Sequence, residues 1–301
     1  MLVIGANGFL GRHVFRLLSR QPELAAVGTS RAGSPDLARL DLILDPPAVV
    51  GAVLAAAHPD VVVNCAGAVS GEAADLAAAN VTGPAKLVGA LARYAPGTRL
   101  VHLGSAAEYG LTEPRVPITE TREPHPVGVY GVSKLAGTET VALARTFGLD
   151  TLVLRVFNPI GAGAPATSLP GRLLAELCRA TAEHDAVHLG SLDSVRDFVD
   201  VRDIADAVLA AVQSSTVDEP VLNVASGRAT PVRILVRDLV RLSGFTGPVF
   251  AIGNGSVRSA DVPWQQADVS AIARELGWKP AIDLMDSLRE MWQAVTDDAN
   301  D

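Results

Sequence analysis

Short runs of valine, leucine and isoleucine alternate with longer alanine-rich stretches through the first half of the 301-residue chain. The runs have the length of strands and the stretches have the length of helices, an order typical of βαβ units that build a parallel sheet. Such a sheet carries helices on both faces and binds ligands at the carboxyl ends of its strands. The sequence therefore predicts an α/β fold around a doubly wound parallel sheet.

The alternation predicts five strands and four helices in this half of the chain. The predicted strands are 1–4, 25–29, 61–64, 99–103 and 151–155. The predicted helices are 9–20, 46–57, 71–95 with a break at Gly83-Pro84, and 130–147.

The pattern changes after the fifth strand. A loop rich in Gly, Pro and Ala at 158–165 is too long for a simple connection and indicates the start of a second lobe. Residues 203–212 and 221–224 again have the pattern of a helix and a strand of the main sheet. The predicted division is a cofactor-binding domain at 1–155, joined by about 195–225, and a smaller, discontinuous α/β substrate lobe within 156–301.

The chain is acidic. Its 33 acidic and 25 basic side chains give a formal net charge of -8, so it has no basic surface that would attract nucleic acid or an anionic membrane. The two cysteines, Cys65 and Cys178, are too few for a disulfide framework, and the six histidines lack the spacing of metal ligands. No run reaches the roughly 18 apolar residues of a membrane span. We expect a cytoplasmic protein with no metal, membrane or nucleic-acid partner.

A glycine-rich segment directly follows the first predicted strand and opens the first predicted helix. Its spacing, GxxGxxG, permits a tight turn and lets backbone N–H groups approach a pyrophosphate, whose charge the helix N-terminus favours. An ordinary strand-to-helix turn is the alternative, but the position ahead of a βαβ pattern favours a dinucleotide site. The residues expected at the cofactor are Gly5, Asn7, Gly8, Phe9, Leu10 and Gly11.

The end of the second strand indicates which dinucleotide binds. An acidic residue there would bind a ribose 2′-hydroxyl, whereas an arginine would accommodate a 2′-phosphate. This chain has Ser30-Arg31 and no carboxylate at that point. The sequence therefore predicts NADP rather than NAD, with a solvated loop arginine as the alternative.

Two further segments are expected beside the cofactor. Asp41 and Leu42 end the next short apolar segment, where a carboxylate is placed to accept from the amino group of adenine; a helix-capping or loop aspartate is the alternative. Cys65, Ala66 and Gly67 follow the strand at 61–64, and their small size suits a backbone that passes close to the cofactor.

A phenol and an ammonium stand four residues apart, at Tyr130 and Lys134, and thus on one face of a predicted helix. A lysine charge stabilises phenolate and brings a tyrosine towards proton exchange at neutral pH. Ser105, just beyond the strand at 99–103, is placed to hold a carbonyl or carbinol oxygen. A surface pair of tyrosine and lysine is the alternative for an isolated YxxxK motif, but the upstream serine favours a catalytic group.

At these motifs the chain resembles the extended short-chain dehydrogenase/reductase superfamily, the group of nucleotide-sugar epimerases, dehydratases and reductases. The resemblance covers almost the whole chain in the right order. Its segments are GANGFLG at 5–11, SAAEYG at 105–110, YGVSK at 130–134, RVFNPIG at 155–161, VRDFVDVRD at 195–203, LNVASG at 222–227 and LGWKP at 276–280.

The resemblance implies roles for particular residues. Ser105, Tyr130 and Lys134 would be the catalytic group, with Tyr130 and Lys134 also contacting the cofactor. The remaining implied contacts are Asp41, Leu42 and Phe157 to the cofactor, and Asn158, Arg196 and Arg258 to a nucleotide diphosphate. For Arg196 a salt bridge to an acidic neighbour is the alternative, and for Arg258 a solvated loop position. Relatives usually form dimers through helices equivalent to 84–95 and 130–147, so we expect a homodimer.

The residues after Ser105 narrow the reaction. Dehydratases of this group carry an Asp-Glu pair there, but this chain has Ala106-Ala107, whose methyl groups cannot transfer protons. Glu108 comes one position too late, and on an extended segment it would point to the other side. Of the reactions that this group catalyses, ketoreduction and 4-epimerisation remain as candidates for this chain.

Within the group, segments 194–206 and 258–263 look most like the 4-ketoreductases of the GDP-4-keto-6-deoxy-mannose reductase type. We expect NADPH-dependent reduction of a nucleotide-linked 4-keto-6-deoxyhexose to the alcohol. One alternative is an NAD(P)-dependent 4-epimerase, which keeps its cofactor bound. A second alternative is a non-catalytic NADP-sensing regulator, although such proteins tend to lose the tyrosine or lysine.

Overall fold

A computed structural model describes residues 1–251 and 262–298. Its strands are β1 (Leu2–Ile4), β2 (Val27–Ser30), β3 (Leu37–Arg39), β4 (Val61–Asn64), β5 (Arg99–Ser105), β6 (Thr151–Val156), β7 (Asn158–Ile160), β8 (Val187–Leu189), β9 (Val195–Arg196), β10 (Phe198–Asp200), β11 (Val221–Val224), β12 (Thr230–Pro231) and β13 (Val249–Ala251). Its α-helices are α1 (Phe9–Leu18), α2 (Pro47–Ala57), α3 (Ala73–Ala77), α4 (Gly83–Tyr94), α5 (Gly128–Leu143), α6 (Leu169–Glu183), α7 (Val201–Gln213), α8 (Val232–Ser243), α9 (Ser270–Leu276) and α10 (Leu284–Asp298).

Seven strands form the main sheet, in the order β11-β6-β5-β4-β1-β2-β3. Each neighbouring pair in this order is parallel. The order reverses direction at β1, as in doubly wound folds, and helices cover both faces. The predicted Rossmann-type α/β fold is confirmed, and β11 returns to this sheet beside β6, as the pattern at 221–224 predicts.

Two apolar layers hold the helices on the main sheet. One layer includes Val14 and Leu18 of α1 and Ile204 and Val208 of α7, packed on the face that Val101 presents. The other layer lies on the opposite face, beneath α2, α4 and α5. Because successive strand residues point to opposite faces, the largely apolar strands β4, β5 and β6 supply both layers.

A separate apolar cluster forms the core of the smaller lobe. It combines residues of α6, α8 and α10 with Ile160 of β7 and Phe198 of β10. β7 pairs with β10, β8 with β13 and β9 with β12, so the lobe is built from two-stranded pairs rather than from an extension of the main sheet. None of the helices described is long and apolar enough to cross a membrane.

The predicted helix at 71–95 is divided, with its break close to the predicted position. α3 continues into a π-helical turn, Ala78–Thr82, and α4 begins at Gly83 with Pro84 in its first turn. Pro84 has no N–H to donate back to the carbonyl of Asn80, which permits the wider turn. Gly137 of α5 packs against this carbonyl so closely that a Cβ atom there would overlap the oxygen.

One strand of the main sheet lies outside the predicted set. β3 is short, lies at the edge of the sheet and is largely exposed. Its sequence, LAR, carries no β-branched residue, and backbone pairing with β2 is what makes it a strand.

Gly137→Ala should lower the free energy of unfolding by about 2 kcal/mol, because the added methyl group forces α5 away from the π-helical turn. Urea unfolding followed by circular dichroism measures the change. Gly89→Ala is the matched control: it also lies within a helix, but its Cβ atom would meet no heavy atom within 4 Å, so stability should hold or rise slightly. Equal losses in the two variants would contradict the packing argument.

Candidate active site

The glycine segment forms a tight turn between β1 and α1. Gly5 has a φ of +76°, a conformation that favours glycine, and its carbonyl accepts from the N–H of Gly8 at 3.0 Å. A Cβ atom on Gly11 would overlap the carbonyl oxygen of Gly5. Asn7 and Gly8 are exposed, and α1 begins one residue later at Phe9. The N-terminus of a ten-residue helix is thus held open behind a turn that only glycine allows, which fits a pyrophosphate.

The residues after β4 lie against this turn. A Cβ atom on Gly5 would be 3.0 Å from Cα of Ala66, and the N–H of Cys65 donates to the carbonyl of Ile4. The side chain of Asn64 accepts from the N–H of Ala66 at 3.1 Å. The structure therefore brings the segment 65–67 to the glycine turn, as expected for two segments of one cofactor site.

The segment after β2 carries the residues expected to select the dinucleotide. The hydroxyl of Ser30 accepts from the N–H of Gly33 at 3.0 Å, which shapes the turn. Arg31 is exposed beside it. Residues 31–35, directly after β2, include no carboxylate, so the chemistry of the turn fits a 2′-phosphate as well as a 2′-hydroxyl.

Asp41 and Leu42 have structural roles in the structure. Oδ1 of Asp41 accepts from the N–H groups of Ile43 and Leu44 at 2.8 and 3.2 Å, which caps the local loop. Leu42 is buried in the apolar layer beneath α4. Their predicted contact with adenine stays a prediction.

Ser105 and Tyr130 come together at the carboxyl end of β5. Tyr130 lies in the first turn of α5, and its Oη donates to Oγ of Ser105 at 3.4 Å. Both side chains are half-buried. A carbonyl oxygen between these hydroxyls would meet a proton donor and a second hydrogen-bonding group.

Lys134 lies one helical turn after Tyr130, and its side chain is buried. Its Nζ donates to the carbonyl oxygen of Leu103 at 2.6 Å. Burial lowers the pKa of Lys134, and the carboxylate of Glu108 opposes that shift. Lys134 is therefore held at the floor of the site, between β5 and α5.

The residues expected at the substrate lie along the chain beyond β6. Asn158 donates from Nδ2 to the carbonyl oxygen of Asp197 at 3.0 Å. Arg196 is buried, and burial lowers its pKa to about 10. Phe157 is fully buried against Tyr109, so its side chain offers no exposed surface to a cofactor. The prediction for Arg258 lies outside the described residues.

The expected orientation of Glu108 is wrong. Residues Ala106–Glu108 form a 3₁₀ turn rather than an extended segment, and Ser105 caps it. The carboxylate of Glu108 therefore turns back under the site, where it accepts from the N–H of Ser105. The pattern S-x-x-E, a capping box, was the signal in the sequence that indicated this turn.

One contact to the site comes from the segment that follows residue 261. Nε2 of Gln265 donates to the carbonyl oxygen of Ala106 at 3.2 Å, and Gln265 is buried. Within the described ranges, no three His, Cys, Asp or Glu side chains come together as a metal site.

Comparisons with known proteins agree with this geometry. Residues 1–225 match the model of the NAD dependent epimerase/dehydratase family. The chain is 36% identical over 300 residues to the dTDP-6-deoxy-L-talose 4-dehydrogenase (NAD(P)(+)) of Kitasatospora kifunensis, with 97% of this chain and 94% of that protein covered. It is 31% identical to the GDP-6-deoxy-D-mannose reductase of Pseudomonas aeruginosa, with 96% and 94% covered. The structure of RMD from Pseudomonas aeruginosa complexed with NADPH superposes with a TM-score of 0.85 at 26% identity, with 97% of each chain covered.

The fold and the site define an NAD(P)-dependent oxidoreductase with a Rossmann-type sheet. The chain belongs to the NAD dependent epimerase/dehydratase family, and it is of the extended short-chain dehydrogenase/reductase type. The resemblance of its motifs to that superfamily is confirmed.

Proposed function

We propose that the protein catalyses the NADPH-dependent reduction of a nucleotide-linked 4-keto-6-deoxyhexose to the corresponding alcohol. The observation that carries the proposal is the hydroxyl pair of Tyr130 and Ser105, 3.4 Å apart and followed by two alanines. The relatives named as a deoxytalose 4-dehydrogenase and a deoxymannose reductase support this substrate class. We infer that the enzyme works in the cytoplasm, where its two free cysteines stay as thiols.

The proposed chemistry uses Tyr130 as the acid. When bound, NADPH supplies the hydride that the carbonyl carbon accepts. Oη of Tyr130 gives its proton to the carbonyl oxygen, and the hydroxyl of Ser105 donates a hydrogen bond to the same oxygen as charge develops on it. Lys134 stabilises the phenolate that remains, because an ammonium lowers the free energy of a nearby anion.

The residues beside Ser105 support reduction over dehydration. Ala106 and Ala107 carry no group that could transfer a proton. Glu108, the nearest carboxylate in the sequence, is fully buried in an ion pair with Arg155 and is held away from the substrate side. The site thus has the acid that reduction needs but lacks the additional acid and base of a dehydratase.

We propose that the phosphates of the ligands are held locally, without a basic surface. The N-terminus of α1 takes the pyrophosphate of the cofactor, and Arg31 takes its 2′-phosphate, which makes NADPH the preferred reductant over NADH. Asn158, Arg196 and Arg258 take the diphosphate of the sugar nucleotide. Arginine suits this role because its planar fork binds two phosphate oxygens at once.

A 4-epimerase is the second candidate, since such an enzyme uses the same catalytic group. An epimerase regenerates its own cofactor and needs no added reductant, whereas a reductase consumes NADPH in proportion to product. A non-catalytic NADP-sensing regulator would bind NADPH without consuming it. One assay with and without added NADPH separates the three functions.

Tyr130→Phe should lower kcat for reduction of dTDP- or GDP-linked 4-keto-6-deoxyhexoses by about a hundredfold or more, because the phenol is the proton donor. Loss of NADPH absorbance measures the rate. Tyr94→Phe, an exposed tyrosine of α4, is the matched control and should keep the wild-type rate. Near-full activity of Tyr130→Phe would refute the mechanism, and turnover without NADPH would favour the epimerase.

Arg31→Ala should weaken NADPH binding about tenfold and leave NADH binding unchanged, because only NADPH carries the 2′-phosphate. Fluorescence titration with each nucleotide measures both dissociation constants. Arg237→Ala, an exposed arginine of α8, controls for loss of a surface charge. Tighter binding of NADH than of NADPH by the wild-type chain would contradict the proposed preference.

We also propose that two copies associate through α4 and α5. Val129, Val132, Leu143 and Phe147 are exposed, and Phe147 retains 80% of its surface. Their spacings of 3, 11 and 4 residues are close to whole helical turns, so they form one apolar stripe. Such an exposed stripe is typical of an interface.

The double variant Leu143→Asp/Phe147→Asp should be a monomer where the wild type is a dimer, because carboxylates cannot be buried unpaired at an interface. Sedimentation velocity measures the molecular mass. Phe250→Asp replaces a phenylalanine that is 44% exposed on β13, in the smaller lobe, and should leave the dimer intact. A monomeric wild type, or a double variant that stays dimeric, would refute this interface.

A further inference from the structure

A buried ion pair lies directly beneath the candidate active site. Nε of Arg155 donates to Oε2 of Glu108 at 2.6 Å, and the two side chains are 3% and 0% exposed. Removing two charges from water is costly, and apolar residues of similar volume often stabilise a fold equally well. The ion pair by itself is therefore weak evidence of a contribution to the stability of the fold. The other contacts of its two side chains indicate its role.

Glu108 joins three elements of the main domain through one carboxylate. Its Oε1 accepts from the N–H of Ser105, at the end of β5, at 2.7 Å. The same oxygen accepts from Oγ1 of Thr138, on α5, at 2.9 Å. Its Oε2 is held by Arg155 of β6. Glu108 thus connects the backbone of Ser105 to α5, in addition to the bond from Lys134 to the carbonyl oxygen of Leu103.

The residue before Ser105 leaves room for the carboxylate. A Cβ atom on Gly104 would lie 2.9 Å from Oε1 of Glu108, 3.0 Å from Cγ1 of Val153 and 3.1 Å from Oγ1 of Thr138. Gly104 has no positive φ, so its backbone does not require glycine. The space beside the carboxylate is what requires glycine here.

The far side of the pair is anchored as well. The guanidinium of Arg155 lies over the ring of Tyr109, 4.7 Å from its centre. The hydroxyl of Tyr109 donates to Oδ1 of Asn223, in β11, at 2.7 Å. Burial raises the pKa of Tyr109 to about 12, so this hydroxyl keeps its proton. The contact with Tyr109 therefore holds the guanidinium of Arg155 in place, and the guanidinium in turn holds the carboxylate of Glu108.

We propose that the Glu108–Arg155 pair, acting through Thr138, positions Ser105 against Tyr130 and Lys134 for catalysis. The proposal rests on the catalytic role proposed above for these three residues. Glu108 contacts the backbone of Ser105 and a side chain of α5 but not the reacting atoms, which makes it a positioning residue.

The spacing along α5 explains how the pair acts on the tyrosine and the lysine. Thr138 follows Lys134 by four residues and Tyr130 by eight, so all three lie on one face of the helix. The bond at Thr138 is one of the contacts that hold α5 near β5, so its loss should change the separation of Tyr130 and Ser105. A misplacement of about 1 Å between catalytic groups costs up to about a hundredfold in rate.

Thr138→Val tests the proposal, because valine keeps the shape of threonine and removes only its bond to Glu108. We expect kcat for the 4-keto sugar nucleotide to fall about tenfold, with KM and the dissociation constant of NADPH within twofold of wild type. Thr138→Ser, which keeps the hydroxyl, should restore kcat. Thr140→Val is the matched control, since the hydroxyl of Thr140 bonds only within α5, to the carbonyl of Ala136.

Gly104→Ala tests the contacts of Glu108 with Ser105 and Thr138 by adding a methyl group beside the carboxylate. Its methyl group crowds the carboxylate of Glu108 and also Val153 of β6, so kcat should fall again while KM stays near its wild-type value. Urea unfolding of every variant shows that the rates are measured on folded protein.

Hydrogen exchange of the Ser105 amide provides a readout that needs no substrate. Its N–H donates to Glu108, so exchange should be at least about tenfold faster in Gly104→Ala and Thr138→Val than in Thr140→Val. Faster exchange in these variants, together with a wild-type chain that reduces no 4-keto sugar nucleotide, would refute the proposed function and leave the positioning contact intact.

Three results would overturn the positioning role. The first is unchanged kcat in Thr138→Val and Gly104→Ala. The second is a fall in Thr140→Val as large as that in Thr138→Val. The third is a loss carried by KM rather than kcat, which would show that the contact serves binding alone.

Discussion

The parallel pairing of the central strands brings the strand ends of the candidate active site to one edge of the sheet. β4, β5 and β6 run side by side and end at one edge of the sheet, with Ser105 in register with Val156. Since side chains beyond a strand end are free of sheet packing, the residues that follow these strands can serve chemistry. The apolar runs that hold the sheet together therefore also gather the cofactor turn, the serine and the start of the substrate lobe.

Much of this arrangement is predictable from the sequence, because buried parallel strands leave an unmistakable apolar pattern. The edge to which the ligands bind follows from that pattern and from the glycine turn at 5–11. The edge strand β3 could not be predicted from the apolar pattern, since its three residues are mostly exposed and form a strand only by pairing with β2. The intrinsic strand propensity of the residues does not predict a strand that is stabilised by pairing with its neighbour.

At Glu108 the predicted conformation is wrong, while the prediction that it is no member of a dehydratase pair stays a prediction. That prediction rests on its place in the sequence, and the burial of Glu108 supports it. The assumption of an extended segment after Ser105 fails because the serine caps a 3₁₀ turn, which rotates the glutamate beneath it. The long-range partners, Arg155 and Thr138, lie 47 and 30 residues away in the chain, beyond the reach of any local pattern.

An acidic chain can bind anionic ligands if individual positive groups are placed at the sites proposed for the phosphates. Arg155 forms a buried ion pair with Glu108. A count of basic residues therefore overstates the number of side chains that can bind phosphate. The same ion pair lets the negative charge of Glu108 lie beside Lys134, where it opposes the lowering of the lysine pKa by burial. A neutral residue at 108 would remove the charge that most strongly opposes the lowering of the Lys134 pKa. In the proposed mechanism the pair therefore has two roles. The carboxylate of Glu108 holds the backbone of Ser105, and it supports the charge of Lys134 that would stabilise the phenolate of Tyr130.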